Sequence, residues 1–295
     1  METDDDIAEP VLAPLVASCR ALGLKVENPV VLGARANVVV HLSPSPVVAR
    51  VATLTDEVRN GSFEYLRRER EIGRALADRG LRVIAPTTLV DPGPHSLGDR
   101  SFLLLGHQLL RSVDLGSIDH AIAAGRAFAE VTRGLSELPA ELGTGDEGQP
   151  WGEIENLMAT VAPSTANAVM SEIQQALSDL RASEPDDPWQ LVHGDAHKAN
   201  VALNEQGAVV WFDFEDANRR PLAWDLATLC RAWPAAGEEA CRILDVDRSS
   251  PSMRWHHELR ELYALLWSQL YDSRFEETRA AGADRLYHWL TLRQQ

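Results

Sequence analysis

An apolar pair, Leu191 and Val192, runs into His193-Gly194-Asp195, and Asn200 lies five positions beyond that Asp. A second apolar run, Val209 to Phe212, then delivers Asp213, 18 positions after Asp195, with Phe214 and Glu215 behind it. No other feature of the chain restricts its fold as much. One carboxylate, one amide and a second carboxylate at this spacing form the set that phosphoryl transfer requires. A carboxylate must orient an attacking hydroxyl and accept its proton, and oxygen ligands must hold magnesium against nucleotide phosphates. Asp195 is accordingly read as the catalytic base, with Asn200 and Asp213 as magnesium ligands, because a neutral amide oxygen and a charged carboxylate both suit a hard cation. Local patterning turns spacing into proximity. Leu191 and Val192 read as a short buried strand entering a loop. Val201 to Leu203 turns through Asn204-Glu205-Gln206-Gly207 into Ala208 to Phe212, a hairpin by its turn residues and apolar runs. A hairpin brings its ends together, so Asn200 and Asp213 are expected side by side, next to Asp195.

His193-Gly194-Asp195, His197, Asn200, the Phe212-Asp213-Phe214-Glu215 run and Pro221-Leu222-Ala223-Trp224-Asp225 together resemble the aminoglycoside phosphotransferase and choline kinase-like superfamily. The resemblance is strongest over about residues 190–230 and weaker over about 30–110. It implies an α+β, two-lobed protein-kinase-like fold: an N-terminal lobe with a five-stranded antiparallel sheet and one helix, and a mainly helical C-terminal lobe. The implied boundaries are 1–105 for the nucleotide-binding lobe, 106–109 for the connector, and 110–295 for the catalytic and substrate-binding lobe. It also implies roles upstream. Arg50, in Val47-Val48-Ala49-Arg50-Val51, stands at the phosphate-binding cation where many kinases have Lys. An Arg there presents a planar fork instead of a point charge. Glu69 matches the helix Glu that pairs with this cation, with Glu71 as the alternative on another face. Gly33 and Asn37 occupy the place of the glycine-rich loop, where Gly33 would turn the backbone sharply and amides would face phosphates. Leu105, Gly106 and Gln108 lie where backbone groups would bind a purine edge. Asp225 matches an Asp that braces the catalytic loop from behind. Glu215 keeps two readings, contact with a second magnesium or orientation of Asp213.

The implied activity is transfer of the γ-phosphate of ATP or GTP, with Mg2+, to a hydroxyl of an aminoglycoside-like antibiotic, amino sugar or amino alcohol. The alternative is a catalytically weak, kinase-like nucleotide-binding regulatory module. A protein kinase is disfavoured. Only 11 positions separate Asp213 from Asp225 as residues between them, too few for a peptide-docking segment, and Glu215 replaces the glycine of Asp-Phe-Gly.

Composition narrows the partners. A formal net charge of −16 argues against nucleic acid or an anionic membrane and permits a cationic substrate. Nine acidic residues of the C-terminal third (Glu238, Glu239, Asp245, Asp247, Glu258, Glu261, Asp272, Glu276 and Glu277) are candidates for binding such a substrate. Five tryptophans, Trp151, Trp233, Trp255, Trp267 and Trp289, are candidates for the pocket wall or for helix packing. The three cysteines show no metal-ligand spacing and fit buried thiols of a reducing, cytoplasmic compartment. His197 lacks His or Cys partners at ligand spacing and is read as a hydrogen-bonding loop residue. His256-His257-Glu258 is read as helix surface. Oligomeric state is not encoded in any pattern.

Helices are expected at 6–23, 60–79, 118–136, 164–182, 221–232, 236–244, 252–280 and 283–293. Strands are expected at 28–33, 36–42, 47–53, 87–91 and 101–105, with a loop over 139–150.

Overall fold

A computed structural model of the chain describes residues 3–59, 61–108, 110–143 and 150–293. The first helix, α1 (Asp4–Ala21), is started by Thr3, whose hydroxyl accepts from the Asp6 amide while the Asp6 carboxylate accepts from the Thr3 amide. This reciprocal cap satisfies two otherwise orphaned donors. Its apolar stripe, Val11, Leu15 and Cys19, packs on one face of an antiparallel sheet. The sheet is built from β1 (Val26–Ala34), β2 (Asn37–Pro44), β3 (Val47–Ala52), β4 (His95–Leu97) and β5 (Arg100–Gly106), in the order β1-β2-β3-β5-β4.

Strand periodicity decides what each face carries. Val38, Val40, Ala49 and Val51 pack toward α1. Arg50, opposite Val39 on one side and Leu103 on the other, belongs to the alternate set. A short helix, α2 (Leu54–Val58), precedes α3 (Ser62–Asp78), which buries Leu66, Glu69, Ile72 and Leu76. Leu66 packs on Leu103 and Leu105, so Glu69, three residues on and on the same stripe, is carried beneath the sheet beside Arg50.

The helical part begins with α4 (Ile118–Ser136), α5 (Trp151–Val161) and α6 (Asn167–Ala182). Two small ladders follow: β6 (Trp189–Val192) pairs with β9 (Asn218–Pro221), and β7 (Val201–Leu203) pairs with β8 (Val209–Trp211). Then come α7 (Leu222–Ala232), α8 (Pro234–Leu244), α9 (Pro251–Arg274) and α10 (Arg279–Arg293). Two apolar cores lie here. One joins α3, α4, α7 and α8 to the β7–β8 hairpin, and the other gathers α5, α6 and α9. No helix among the described residues is long and apolar enough to cross a membrane.

Several expectations need correction. Residues 87–91 form no strand; the fourth strand is His95–Leu97, an edge pairing only with β5. The helix expected over 60–79 is present as α3, and the short helix α2 before it was not assigned from the sequence; Asn60 lies outside the described residues. Residues 151–161, not assigned from the sequence, form α5. The long C-terminal helix ends at Arg274, and α10 starts at Arg279. His256 is buried, its Nδ1–H donating to the Ser252 carbonyl, so it is not a surface residue. Cys19 and Cys241 are buried and all three cysteines are free thiols.

Candidate active site

The catalytic loop leaves β6 through a glycine that no other residue replaces. Gly194 has φ +89°, and a Cβ there would meet the Asp216 carbonyl oxygen at 1.9 Å. The loop is therefore pressed against the segment that follows Asp213. Its back is tied to α7: the Asp225 carboxylate accepts from the His193 amide at 2.7 Å and the Gly194 amide at 2.9 Å, and Trp224 Nε1–H donates to the Gly194 carbonyl at 2.7 Å. His193 Nε2–H donates to the Phe212 carbonyl at 3.0 Å. Burial pushes the Asp225 carboxyl up and the His193 imidazole down, so His193 is neutral. Gly194→Ala is expected to cost about 3 kcal/mol or more of stability, from left-handed backbone strain plus the backbone clash, and to abolish activity. Urea unfolding measures this, and an unchanged midpoint would mean the loop can move off Asp216.

Asp195 emerges from this frame with its side chain 29% exposed. Arg260 Nη2, from α9, lies 3.0 Å from Oδ1, and His197 Nε2 lies 3.1 Å from Oδ2. Because the Ala199 amide donates to His197 Nδ1, the ring proton sits on Nε2 and donates to Asp195. Asn200 Nδ2–H donates to the Asp195 carbonyl at 3.0 Å and to Oδ2 at 3.3 Å. Burial alone would raise the Asp195 carboxyl. His197 and Arg260 overcome this and hold it well below the usual range. The same Asp195 charge raises His197 against its own burial. Asp195 is therefore ionised and held in place.

The second half of the site is an ionic network. Arg50, 6% exposed, places Nη1 at 2.9 Å from both Glu69 oxygens and 2.6 Å from Asp213 Oδ1, and Nη2 at 2.6 Å from Glu215 Oε1. Glu71 pairs with Arg67 and Arg70 instead. Burial pushes Glu69 up to about 8 despite Arg50. Arg59, at the end of α2, is buried between Glu215 at 3.2 Å, Asp216 and Glu153, and Glu153 accepts from the Tyr263 hydroxyl at 2.5 Å. Asp213 adopts φ +71°, uncommon for a non-glycine residue; a neighbouring bond from the Phe212 amide to the Asn200 carbonyl, at 3.1 Å, ties this corner to the other end of the hairpin.

One cleft of about 550 Å³ collects these groups. Asp195, Asn200, Asp213 and Glu215 line it, together with Asn37, whose Nδ2–H donates to Glu215 at 3.2 Å. Oxygens of Glu69, Asp213 and Glu215 lie within 4.8 Å of one another among the described residues. Glu69 gives both oxygens to Arg50 and does not line the cleft, whereas Asp213 and Glu215 give one oxygen each to Arg50 and line it with Asn200. This all-oxygen set suits a hard divalent cation.

Gly33 is not brought to the turn. It sits in β1 at a register shift, without positive φ, and the bend falls at Arg35 and Ala36. Leu105 and Gly106 end β5, outside this cleft. The amides of Gly106 and His107 are already donated to the Ala85 and Pro46 carbonyls, so they are not available to a purine. Gln108 donates from its side chain to the Val83 carbonyl at 3.4 Å, and Leu109 lies outside the described residues. Of the nine acidic residues, Asp272 alone lines the cleft among those described; Glu238, Asp245, Asp247, Glu258 and Glu276 are exposed, Glu239 pairs with Arg126 and Arg242, and Glu261 with Arg231. Glu277's side chain is outside the described set. Trp267 lines the cleft, whereas Trp151, Trp233, Trp255 and Trp289 pack in the helical cores. Sequence reasoning missed Arg59, Asp216, Arg231, Arg260, Tyr263 and Arg285. Only Asp216, adjacent to Glu215, carried a local signal.

The family model described as phosphotransferase enzyme family matches residues 29–266. Among solved structures, the chain is similar to the amicoumacin kinase hAmiN in complex with AMP-PNP, Ca2+ and Ami, at TM-score 0.67 and 17% identity, covering 97% of this chain and 95% of that one. It is similar to APH(2")-IIia in its GDP and kanamycin complex, at TM-score 0.66 and 12% identity, covering 93% and 97%. It is also similar to the choline kinase LicA from Streptococcus pneumoniae, at TM-score 0.65 and 14% identity, covering 93% and 98%. At these identities the likeness speaks to fold. No curated protein sequence matches the chain.

Proposed function

The chain belongs to the phosphotransferase enzyme family, and on that premise we propose that it transfers the γ-phosphoryl group of ATP or GTP to a hydroxyl of a small molecule. The observation that carries this reading is the convergence of Asp195, Asn200 and Asp213 on one cleft, with Asp195 kept ionised by Arg260 and His197. A regulatory module without turnover would not need a charged base held at the mouth of the oxygen-donor set.

Asp195 orients the acceptor hydroxyl and takes its proton. The hydroxyl oxygen bonds to the γ-phosphorus, the bond from that phosphorus to the β–γ bridging oxygen breaks, and ADP or GDP leaves with the electron pair. Asp213, Asn200 and Glu215 would hold Mg2+, which when bound neutralises phosphate charge. Arg50, steadied by Glu69, would grip the α- and β-phosphates, and Asn37 would stand at the phosphate end of β2. Gly33, on the strand before the bend, keeps only a structural part. The base would lie against Leu105 and Gly106, with the Gln108 amide as its donor. Residues 1–105, 106–109 and 110–295 are then the nucleotide lobe, connector and acceptor lobe. The named neighbours put an aminoglycoside-like antibiotic, amino sugar or amino alcohol among the acceptors to assay.

Asp213→Ala is expected to weaken magnesium-dependent nucleotide binding more than Asn200→Ala, because a carboxylate offers a charge and an amide only a dipole. Calorimetric titration of MgATP and MgGTP into both variants tests the assignment. Unimpaired affinity in Asp213→Ala would remove that residue from the metal site.

A further inference from the structure

The cleft has two walls. The catalytic loop and the residues after β8 make one. The other is made by α7, α9 and α10, and its charged side chains are Arg231, Arg260, Arg285 and Asp272. Arg260 is 3% exposed; it holds Asp195 through Nη2, and its Nε has no hydrogen-bond acceptor. Arg231, 19% exposed, turns its Nε toward its ion-pair partner Glu261, 3.5 Å away, without closing a hydrogen bond. Arg285, on the rim, gives Nη1 to the Ala264 carbonyl at 3.1 Å. Burial, with Arg260 and Arg285 nearby, pulls Arg231 down against the opposing pull of Glu261.

Three guanidiniums and one carboxylate line this wall, an excess of positive charge. A guanidinium fork matches the paired oxygens of a carboxylate or a phosphate. A polycationic acceptor would need carboxylates on this wall, and among the described residues it finds Asp272 alone. The Asp272 carboxylate is crowded against Gly282 through Oδ2, where an added Cβ would lie 1.5 Å away, and its Oδ1 is buried without a donor. Trp267 and Tyr271 line the same wall and offer apolar faces to a carbon skeleton.

Resting on the kinase reading above, we propose that the acceptor carries an anionic group, a carboxylate or a phosphate ester, which Arg231 and Arg285 hold while a hydroxyl of the same molecule faces Asp195. The anion pairs with guanidiniums of the helical wall, and the phosphoryl group arrives on the side of Asp213 and Glu215.

The experiment uses the full chain with MgATP and MgGTP against four acceptor sets: hydroxy and sugar acids, sugar phosphates, neutral sugars and polyols, and aminoglycosides with amino alcohols. Product is read by 31P NMR and nucleoside diphosphate release. Turnover of a member of the first or second set at the highest kcat/KM is expected, and which set responds distinguishes carboxylate from phosphate recognition. Arg231→Ala and Arg285→Ala should each raise the KM of that acceptor by about tenfold or more, with nucleotide KM unchanged, and Arg231→Lys should restore part of the loss. Failure of every carboxylated and phosphorylated acceptor, in a protein whose nucleotide binding is intact by calorimetry, overturns the proposal whatever else is turned over. Unchanged acceptor KM in both alanine variants also overturns it. Loss of the kinase reading itself would register separately, as absence of magnesium-dependent nucleotide binding in the unmutated chain.

Discussion

Asp195→Ala is expected to lower kcat by about 10²–10⁴ while magnesium-dependent nucleotide binding survives, the range typical of a positioned general base. Asp195→Asn should behave similarly, since it keeps the shape and loses the basicity. kcat and kcat/KM should fall together, because the interaction is made with the hydroxyl proton in the transition state. The surrounding charges make a further demand on the same residue. Arg260 and His197 hold the Asp195 carboxyl down against its burial. Removing Arg260's charge with Arg260→Gln should let the Asp195 pKa rise, so the acid limb of the pH profile of kcat/KM should move to higher pH. Near-normal turnover in a folded Asp195→Ala protein would end the assignment. An acid limb that stays in place in Arg260→Gln would mean that another group sets it.

Arg50→Ala is expected to destabilise the protein by about 3–5 kcal/mol, because it strips the shared cation from buried carboxylates. Glu69 and Glu215 are both nearly inaccessible and both lie against the Arg50 fork, and Asp213 meets the same guanidinium. Nucleotide affinity should fall with stability if Arg50 also grips phosphates. Arg50→Lys should retain a folded protein with partial activity. One ammonium keeps the charge but cannot address Glu69 and Glu215 from separate nitrogens as the guanidinium does. Chemical denaturation and calorimetry with MgATP measure the two effects independently. Unchanged unfolding and unchanged nucleotide affinity in Arg50→Ala would show that this network neither holds the lobe together nor reaches the nucleotide.

Asp195, Asn200 and Asp213 were legible as neighbours because they sit on local, periodic elements. A hairpin with turn residues at 204–207 necessarily brings its ends together, and Phe212 does bond to Asn200. Glu69 was legible for the same reason: helical spacing from Leu66 and Ile72 puts it on the buried stripe of α3. The single-glycine loop was misread because a glycine signals freedom without saying where it is used. Gly33 sits at a bulge, and the bend falls two residues later. The strand expected at 87–91 failed because apolar content there serves a loop crossing the sheet edge, where Thr87 donates to the Leu104 carbonyl.

The helical wall of the cleft shows where local reasoning ends. Acidic residues dominate the composition of the last third, which suggested a cationic substrate. Composition does not state which helix face meets the cleft, and most of those carboxylates face solvent or pair with nearby arginines. Arg231, Arg260 and Arg285 come from three helices and share no sequence pattern, yet packing delivers all three to one wall. The sequence by itself pointed to the family, to Asp195, Asn200 and Asp213 as neighbours and to most of the antiparallel sheet, because those depend on spacing within an element or a hairpin. Tertiary structure alone decided the ionisation of Asp195, the buried Arg50 and Arg59 network and the charge of the helical wall of the cleft. Each of these depends on the low-dielectric meeting of groups far apart in the chain, and no local periodicity encodes such a meeting.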